Sequence, residues 1–335
     1  MTKTKQTWRL AKLPLAVSLA STLAAPAFGV TFNIGEIEGQ FDSSMSVGSS
    51  WSVRGADPDL IGSNNGGDGL SQTTDDSRQN FKRGETFSKI FKGIHDLELK
   101  YGDTGVFVRG KYWYDFELKD ESRLFKDIDD SNRKEGAQSS GAEILDAFLY
   151  HNYAVGDLPG TVRIGKQVVS WGESTFIPNG INAINPVDVA KLRAPGSELK
   201  EAFLPVNMLW VSQEITDNLS IEAFNQFEHK KTRLEPNGSY FSTNDFISPG
   251  GHYIDVMGAD MDPTVHPLAG PVPQLRRAGD KDPRDSKQFG VAARLLVPEL
   301  NNTEFGLYYI NYHSRIPYVS GGTGTVAYNP AVAAT

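Results

Sequence analysis

The sequence of 335 residues contains no cysteine, so it can form neither a disulfide framework nor a thiolate metal site. Basic residues are also few, since 33 Lys and Arg stand against 41 Asp and Glu and give a formal net charge of -8. A nucleic-acid-binding surface needs a basic face or stripe, and this charge balance argues against one. No internal stretch approaches the ~20 apolar residues of a membrane-spanning helix. These absences leave soluble globular proteins and β-barrels.

The first 29 residues are typical of a secretory signal peptide. They begin with basic residues and no acidic one, namely Lys3, Lys5, Arg9 and Lys12. An apolar run at 13–25 follows, and Ala27 and Gly29 fit the small-x-small rule for cleavage better than the alternative pair Ala25 and Ala27. A buried or amphipathic first helix is the alternative interpretation. We predict a signal peptide at 1–29 and one domain, the amino-terminal part of a β-barrel, at 30–335.

Residues 37–53 alternate between apolar and polar side chains. The apolar side chains of this stretch occupy odd positions, and they include Ile37, Phe41, Met45, Val47 and Trp51. Strands of soluble proteins are usually about 5–6 residues long, so an alternation sustained this far predicts a strand of transmembrane-barrel length.

The clearest hairpin joins strands at 85–101 and 104–118 through Gly102-Asp103, a pair suited to a type II′ turn. Pairing Tyr101 with Thr104 sets the register and brings the apolar side chains of both strands onto one face. That face carries Phe87, Phe91, Leu97, Leu99, Val106, Val108, Tyr112, Tyr114, Phe116 and Leu118. The register also places Tyr112 across Gly93, and it pairs Asp96 with Arg109 on the opposite face.

Nine strands can be assigned from such patterns, at 37–53, 85–101, 104–118, 142–154, 161–169, 205–215, 219–230, 288–297 and 303–312. Short turns alternate with long connections at 55–84, 120–141, 171–204 and 231–287. This asymmetry predicts an all-β fold, an antiparallel transmembrane β-barrel of the outer-membrane type with long surface loops. A secreted sandwich or jelly roll is the alternative. Bacterial single-chain barrels have an even strand number, so nine strands indicate an incomplete barrel.

Three stretches resemble a proteobacterial family catalogued as domain of unknown function 1302. They are FNIGEIEGQFDSS at 32–44, GKQVVSWGES at 165–174 and INPVD at 184–188, and Lys166 stands where arginine is expected. The resemblance covers the chain from Val30 onward, and family members are similar to outer-membrane β-barrels of nearly twice this length. It implies a channel-like or export-associated role in the outer membrane of a Gram-negative bacterium. The implied partners are outer-membrane lipid, the barrel-assembly machinery, an envelope lipoprotein-like protein and an inner-membrane exporter of the resistance-nodulation-division type.

The polar face of the strands would line the lumen of such a barrel. Its candidate residues are Asp96, Glu98, Arg109, Lys111, Asp115, Glu117, Arg163 and Gln167. They indicate a path for permeation or substrate binding. The alternative is a set of cross-strand ion pairs that keep the interior hydrated and rigid.

The connection at 171–204 carries helix signals of its own. Asn185 as N-cap and Pro186 at the first helical position predict a short helix at 186–192, and a second turn is expected at 198–201. We expect this connection to fold into the barrel mouth and to form a constriction. Its candidate residues are Trp171, Glu173, Asp188, Lys191, Arg193, Glu198 and Lys200. A surface cap packed on neighbouring loops is the alternative.

Signatures of enzymes and metal sites are weak. No G-x-S-x-G, Walker or H-E-x-x-H motif is present, and the 6 histidines are scattered. We therefore predict no enzymatic activity, cofactor or metal. The acidic stretch at 127–132 lacks the glycine and the glutamate of a calcium loop, and with Asp75 and Asp76 it is interpreted as solvated. His95 falls on the predicted lipid-facing side, which is unfavourable for the register.

Three functions are compatible with these patterns. The first is a porin-like channel or export-associated barrel that passes a solute, amphipathic solutes included, through a charged lumen gated by the 171–204 connection. The second is a non-conducting surface or structural barrel that presents its loops at 55–84 and 231–287 to partners. The third is an outer-membrane esterase or lipase whose catalytic residues come from separate strands.

Overall fold

The computed structural model describes residues 23–24, 28–69, 73–131, 133–172, 180–251, 253–255 and 274–322. Within these ranges the protein is dominated by β-strands. In chain order they are β1 Leu23–Ala24, β2 Phe28–Ile34, β3 Ile37–Trp51, β4 Thr86–Tyr101, β5 Thr104–Asp115, β6 Ser140–Val155, β7 Leu158–Gln167, β8 Val206–Thr216, β9 Leu219–Gln226, β10 Tyr253–Asp255, β11 Gln274–Arg276, β12 Gln288–Val297 and β13 Thr303–Asn311.

The helices of the described ranges are short. They are α1 Asp76–Asn80, α2 Phe116–Asp120, α3 Val189–Arg193 and α4 Leu199–Ala202, with 3-10 turns at Pro58–Leu60, Ser63–Asn65, Glu135–Ala137 and Pro298–Leu300. None of the helices in the described ranges has the length and apolarity needed to span a membrane.

The main sheet is an antiparallel meander of eleven strands. Its order is β3-β4-β5-β6-β7-β8-β9-β12-β13, and both β1 and β2 pair along the outer edge of β3. β10 and β11 form a separate two-stranded sheet. In the described ranges β13 pairs with β12 alone, so the sheet is not closed.

All nine strands predicted from the sequence are present, and β2 adds a strand that the pattern analysis did not count. Gly35 lies in the turn between β2 and β3 and has a φ of +63°, a left-handed backbone conformation that favours glycine. The predicted register of β4 and β5 is confirmed, since Tyr101 pairs with Thr104 and Asp96 pairs with Arg109. A Cβ atom added at residue 93 would lie 2.4 Å from Cζ of Tyr112, so that ring does lie across the bare backbone.

The prediction of a strand as far as residue 118 was wrong. β5 ends at Asp115, and the side chain of Asp115 accepts hydrogen bonds from the backbone N–H groups of Glu117 and Leu118, at 3.0 and 3.2 Å. Asp115 is therefore the N-cap of α2, because a side-chain acceptor at that position satisfies N–H groups that the first helical turn leaves free. Phe116 and Leu118 belong to this helix and not to the apolar face of a strand.

Short and long connections alternate as the sequence predicted. The tight turns occupy 35–36, 102–103, 156–157, 217–218 and 298–302. The long connections occupy 52–85, 116–139, 168–205 and 227–287. In an antiparallel meander every second connection lies at the same end, so the tight turns share one end of the sheet and the long connections share the other.

One face of the sheet, which we call the outer face, carries exposed apolar side chains. Val106, Leu149, Ile164 and Leu209 are successive cross-strand partners from β5 to β8. They remain 39, 45, 48 and 36% exposed. His95 also lies on this face, where its Nδ1 is 2.8 Å from Oγ of Ser43. The outer face is therefore apolar and unburied within this chain.

The opposite face, which we call the inner face, is covered by the connection between β7 and β8. Seven buried apolar side chains form a cluster here, namely Val169, Trp171, Ile184, Val206, Met208, Phe224 and Ala292. Ile184 belongs to residues 180–205, which we call the inner segment, and Phe224 and Ala292 belong to β9 and β12. The main hydrophobic core thus lies between the inner segment and the inner face.

Because adjacent residues of β8 lie on different faces, their substitution by alanine should lower the free energy of unfolding by different amounts. Met208 is fully buried on the inner face and Leu209 is 36% exposed on the outer face. Met208→Ala should lower the free energy of unfolding by about 2–5 kcal/mol, because it leaves a cavity in the cluster. Leu209→Ala should cost less than about 1.5 kcal/mol, because more than a third of the Leu209 surface is already exposed and the substitution leaves no enclosed cavity. Urea unfolding of both variants tests this, and equal losses would contradict the assignment of the faces.

Candidate functional site

The inner segment carries two short helices whose ends are fixed by side chains. Oδ1 of Asp188 accepts a hydrogen bond from the backbone N–H of Lys191 at 3.0 Å and caps α3. In α4, Glu198 and Glu201 form a capping box in which each side chain accepts from the other residue's backbone. The second predicted turn at 198–201 is confirmed.

The predicted start of the first helix was wrong. α3 begins at Val189, and Asn185 is not its N-cap. The Asn185 side chain is buried and accepts a hydrogen bond from the N–H of Val169 at 2.9 Å while its amide donates to the carbonyl of Leu204 at 3.0 Å. Asn185 therefore joins the residue that follows β7 to the residue that precedes β8 through its side chain.

An ion pair between Lys92 and Glu201 joins the inner segment to the wall of the sheet. Lys92 lies on the inner face of β4 and Glu201 on α4, and they are 4 and 2% exposed. A charge buried to this degree is costly unless a partner of opposite charge accompanies it. The pair therefore restricts the position of α4 on β4.

A second set of ion pairs converges on Arg233, which follows β9. Its guanidinium lies 2.7 Å from a carboxylate oxygen of Asp188 in the inner segment and 3.0 Å from one of Glu143 on β6. The Lys111 ammonium on β5 is 3.8 Å from Glu143. Arg233 thus bridges the inner segment and the inner face, and one basic residue neutralises part of the charge of two acids.

The next turn of α3 presents two further basic residues. The Lys191 ammonium lies 4.3 Å from the ring centre of Trp113 on β5, and Arg193 lies 3.2 Å from Glu235. Loss of hydration lowers the pKa of Lys191 to about 8, against the opposing charge of Asp188. The same loss of hydration raises the pKa of Glu235 to about 7 although Arg193 lowers it. Both groups titrate near neutral pH.

A cavity of about 80 Å³ lies beside α3. Its lining includes Asp115, Lys191, Glu235, Tyr240 and Phe241. A single water needs only about 10–15 Å³ measured in this way, so the cavity has room for several waters or a small polar group.

The half of the inner face near the tight turns is less covered. There Asp96 and Arg109 form a two-pronged ion pair, with both N–O distances at 2.7 Å, and Arg109 also lies 3.4 Å from Asp146. Glu98 accepts a hydrogen bond of 2.5 Å from the Tyr150 hydroxyl. These contacts agree with the interpretation of lumen charges as structural cross-strand pairs.

Aromatic rings pair with the remaining charges of this half. The Arg163 guanidinium lies 4.6 Å from the ring centre of Trp210. Glu222 on β9 accepts hydrogen bonds from the indole N–H groups of Trp171 and Trp210, at 2.8 and 3.1 Å, and it also forms an ion pair with Arg294. Trp171 therefore lies on the inner face and belongs to a polar and aromatic network there.

The structure brings together only part of the predicted site. Asp188 caps α3, which carries Lys191 and Arg193. Lys200 on α4 pairs with the N-cap Glu198 at 2.9 Å. Two predicted lumen residues have other roles: Asp115 is a helix cap, and Glu117 lies on α2 with Lys89 at 2.6 Å. Gln167 is fully buried and donates to the carbonyl of Met208 at 3.1 Å. Glu173 lies outside the described residues.

The sequence analysis did not single out several residues that hold the inner segment. They are Lys92, Glu143, Glu201, Arg233 and Glu235. Lys92 had a detectable signal, because it occupies an inward position in the alternation of β4. Arg233 and Glu235 come from a long connection, where no periodic pattern predicts which strand they contact.

The acidic residues outside the sheet fall into two classes. Asp127 and Asp129 are exposed, and Asp129 bonds to the neighbouring Ser131. Asp75 and Asp76 were predicted to be solvated, and this was wrong, because they are 0 and 3% exposed. Contacts between distant connections bury them, and a single sequence does not show such contacts.

The chain matches a known protein family. A family model described as a protein of unknown function, DUF1302, matches residues 10–335. The chain belongs to the DUF1302 family. No curated protein and no solved structure matches it. The family resemblance expected from three sequence stretches is therefore confirmed, and the DUF1302 assignment leaves the function open.

Arg233 gives a direct test of the ion pairs in this DUF1302 protein. Arg233→Met should lower the free energy of unfolding by about 3–5 kcal/mol, because it leaves the fully buried carboxylate of Asp188 without its ion-pair partner. Lys231→Met is the matched control, since Lys231 forms exposed pairs with Asp280 and Asp282 that contribute less than about 1 kcal/mol. Denaturant unfolding measures both variants. A loss at Arg233 no larger than that at Lys231 would contradict the bridge.

Glu235 predicts a dependence of stability on pH. Its pKa is raised from 4.5 to about 7, so the folded state keeps a proton that the unfolded state has already released. The free energy of unfolding should therefore fall as the pH rises through this window. Glu235→Gln removes the titration, so its stability should fall less than that of the wild type between pH 5 and pH 8. Parallel profiles of the two proteins would show that Glu235 ionises normally.

Proposed function

We propose that this protein forms part of the wall of an outer-membrane β-barrel and passes a solute through a charged lumen that the inner segment constricts. The observation that carries the proposal is the division between the two faces. Exposed Val106, Leu149 and Ile164 suit contact with hydrocarbon, while Asp96 and Arg109 on the inner face suit an aqueous interior.

Among the described residues β13 has one unpaired edge, and a membrane location requires that another strand pairs with this edge. Unpaired backbone groups cost several kcal/mol each in hydrocarbon, so an open sheet edge is not stable in lipid. The proposal therefore includes closure of the sheet beyond β13. A signal peptide, the outer-membrane location and assembly by the barrel-assembly machinery belong to the same proposal.

The two halves of the inner face suggest how solute movement is limited. Near the tight turns, the side chains of Asp96 and Arg109 remain 17 and 19% exposed. Near the long connections, Lys92 and Glu201 are almost fully buried under the inner segment. A hydrated vestibule that leads to a constriction is the arrangement expected of a gated channel or of an outer-membrane part of an exporter, and an exporter would add an inner-membrane pump and an envelope partner.

A non-conducting barrel is the second candidate. The complete burial of Val206 and Met208 by the inner segment favours it, because a fixed core at that position would close the lumen. Among the contacts of the described residues, none favours an esterase. The hydroxyl of Ser43 does lie 2.8 Å from Nδ1 of His95, but that imidazole is stacked between Phe41 and Tyr112 on the outer face. We propose a role in transport rather than catalysis.

Planar bilayers distinguish the two candidates. The full-length protein should show discrete conductance steps, and Glu201→Gln should increase the fraction of time spent open, because it leaves Lys92 buried without a counter-charge. A loss of about 1.4 kcal/mol in the docking of the inner segment changes the ratio of open to closed states tenfold.

Glu198→Gln is the matched control. It makes the same chemical change at the N-cap of α4, where glutamine keeps a side-chain oxygen for the capping box and only the partly exposed pair with Lys200 is weakened. The open fraction should therefore stay at the wild-type level. Absence of conductance in the wild type and in Glu201→Gln, with any solute, would remove the channel and leave the non-conducting barrel. Equal effects of the two substitutions would show that the buried ion pair does not hold the constriction.

A further inference from the structure

Three of the long connections meet outside the sheet, beside α1. Oγ of Ser77 donates to the carbonyl of Ser242 at 2.7 Å, which joins the 52–85 connection to the 227–287 connection. The Asn80 amide donates to the carbonyls of Gly238 and Lys126, both at 2.9 Å, and so adds the 116–139 connection. The junction consists mainly of polar contacts.

Three aspartates lie close together at this junction. Asp75, Asp76 and Asp245 each offer one carboxylate oxygen, and these oxygens lie within 4.8 Å of one another. Asp75 and Asp76 are 0 and 3% exposed, and Asp245 is half-buried. Backbone groups fix their orientation: Oδ2 of Asp75 accepts from the N–H of Gly62 at 2.8 Å, and Oδ2 of Asp245 accepts from the N–H of Asp76 at 3.4 Å.

Buried oxygens at the junction lack hydrogen-bond donors. Within the described ranges, Oδ1 of fully buried Asp75 has no hydrogen-bond partner, and the same holds for Oδ1 of Asp245. Asn237, 5% exposed, donates from Nδ2 to Oδ2 of Asp76 at 3.1 Å, and its own Oδ1 is also without a donor. Buried acceptors are nearly always satisfied by a donor, water or a cation, so three of them around one cluster indicate a missing positive group.

The charges of the cluster also do not balance. In the described ranges, the ammonium of Lys126 lies 3.3 Å from Oδ2 of Asp76. One ammonium does not neutralise three carboxylates, so a bound cation would supply the positive charge that they lack.

We propose that Asp75, Asp76 and Asp245 bind one calcium ion, with the Asn237 side-chain oxygen beside them, and that this ion holds three surface connections together. Calcium prefers six to eight oxygen ligands at about 2.4 Å, so two ligands on opposite sides of it are about 4.8 Å apart. The carboxylate oxygens lie within that span. Magnesium needs a near-ideal octahedron at about 2.1 Å, and this irregular all-protein set suits it less.

Calorimetric titration of the EDTA-treated, full-length protein in detergent tests the site with CaCl₂ alone. One calcium ion should bind per chain, and Asp75→Asn and Asp245→Asn should each weaken binding at least about tenfold. Asp129→Asn is the matched control, because Asp129 belongs to the exposed acidic stretch that resembles a calcium loop in sequence, and its affinity should equal that of the wild type. MgCl₂ should bind at least about tenfold more weakly. Equal affinity for both ions would overturn the assignment to calcium.

Hydrogen exchange separates loss of the site from loss of folding. In the wild type, calcium should slow amide exchange at 73–80 and 237–245 and leave the strands unchanged. Without calcium, amides in these ranges of Asp245→Asn should exchange as slowly as in the wild type or more slowly, because the substitution removes repulsion between carboxylates. Addition of calcium should not slow their exchange further. Faster exchange of Asp245→Asn in EDTA, or failure of the wild type to bind calcium, would overturn the proposal.

Discussion

The charged residues buried on the inner face are the constraint on which the rest of the structure depends. Lys92 and Lys111 project from the inner face of the sheet and are each only 4% exposed. Both ammonium groups therefore require nearby carboxylates, and the neighbouring strands provide only some of them. Glu201 from the inner segment and Glu143, shared with Arg233, provide them. A charge this far from water destabilises the fold if its partner is removed. These ion pairs therefore restrict how the long connections pack against the inner face.

This arrangement explains why the two ends of the sheet differ. At the end with the tight turns, neighbouring strands satisfy each other's charges, as Asp96 and Arg109 do, and no further segment is needed. At the other end, the inner segment carries an apolar side chain, Ile184, into the core and brings acids to the basic wall. The same contacts that complete the core also narrow the interior, so stability and the proposed control of solute passage depend on one set of residues.

The strands could be predicted because their information is local. Alternation in β4 and β5, with the turn at Gly102-Asp103, was sufficient to give the register that pairs Leu99 with Val106. The end of β5 was missed because the capping role of Asp115 depends on backbone geometry that alternation does not reveal. The start of α3 and the burial of Asp75 also escaped prediction, since both depend on contacts between distant parts of the chain. Asp188 pairs with Arg233, 45 positions away, and Ser77 beside Asp75 bonds to Ser242, 165 positions away.

The central claim is that the inner segment lies against the inner face of the sheet, and a chain without cysteine allows a direct test. A Cβ atom at residue 48 of β3 would lie 2.5 Å from Cβ of Pro195. The two Cβ atoms of a disulfide are typically about 3.8 Å apart, so a small outward shift would permit the bond. Mild oxidation of the Gly48→Cys/Pro195→Cys variant in native membranes should link the two peptides, as mass spectrometry would show, whereas Gly93→Cys/Pro195→Cys, with residue 93 on the outer face, should remain unlinked. No link in the first variant, or equal linkage in both, would contradict the account.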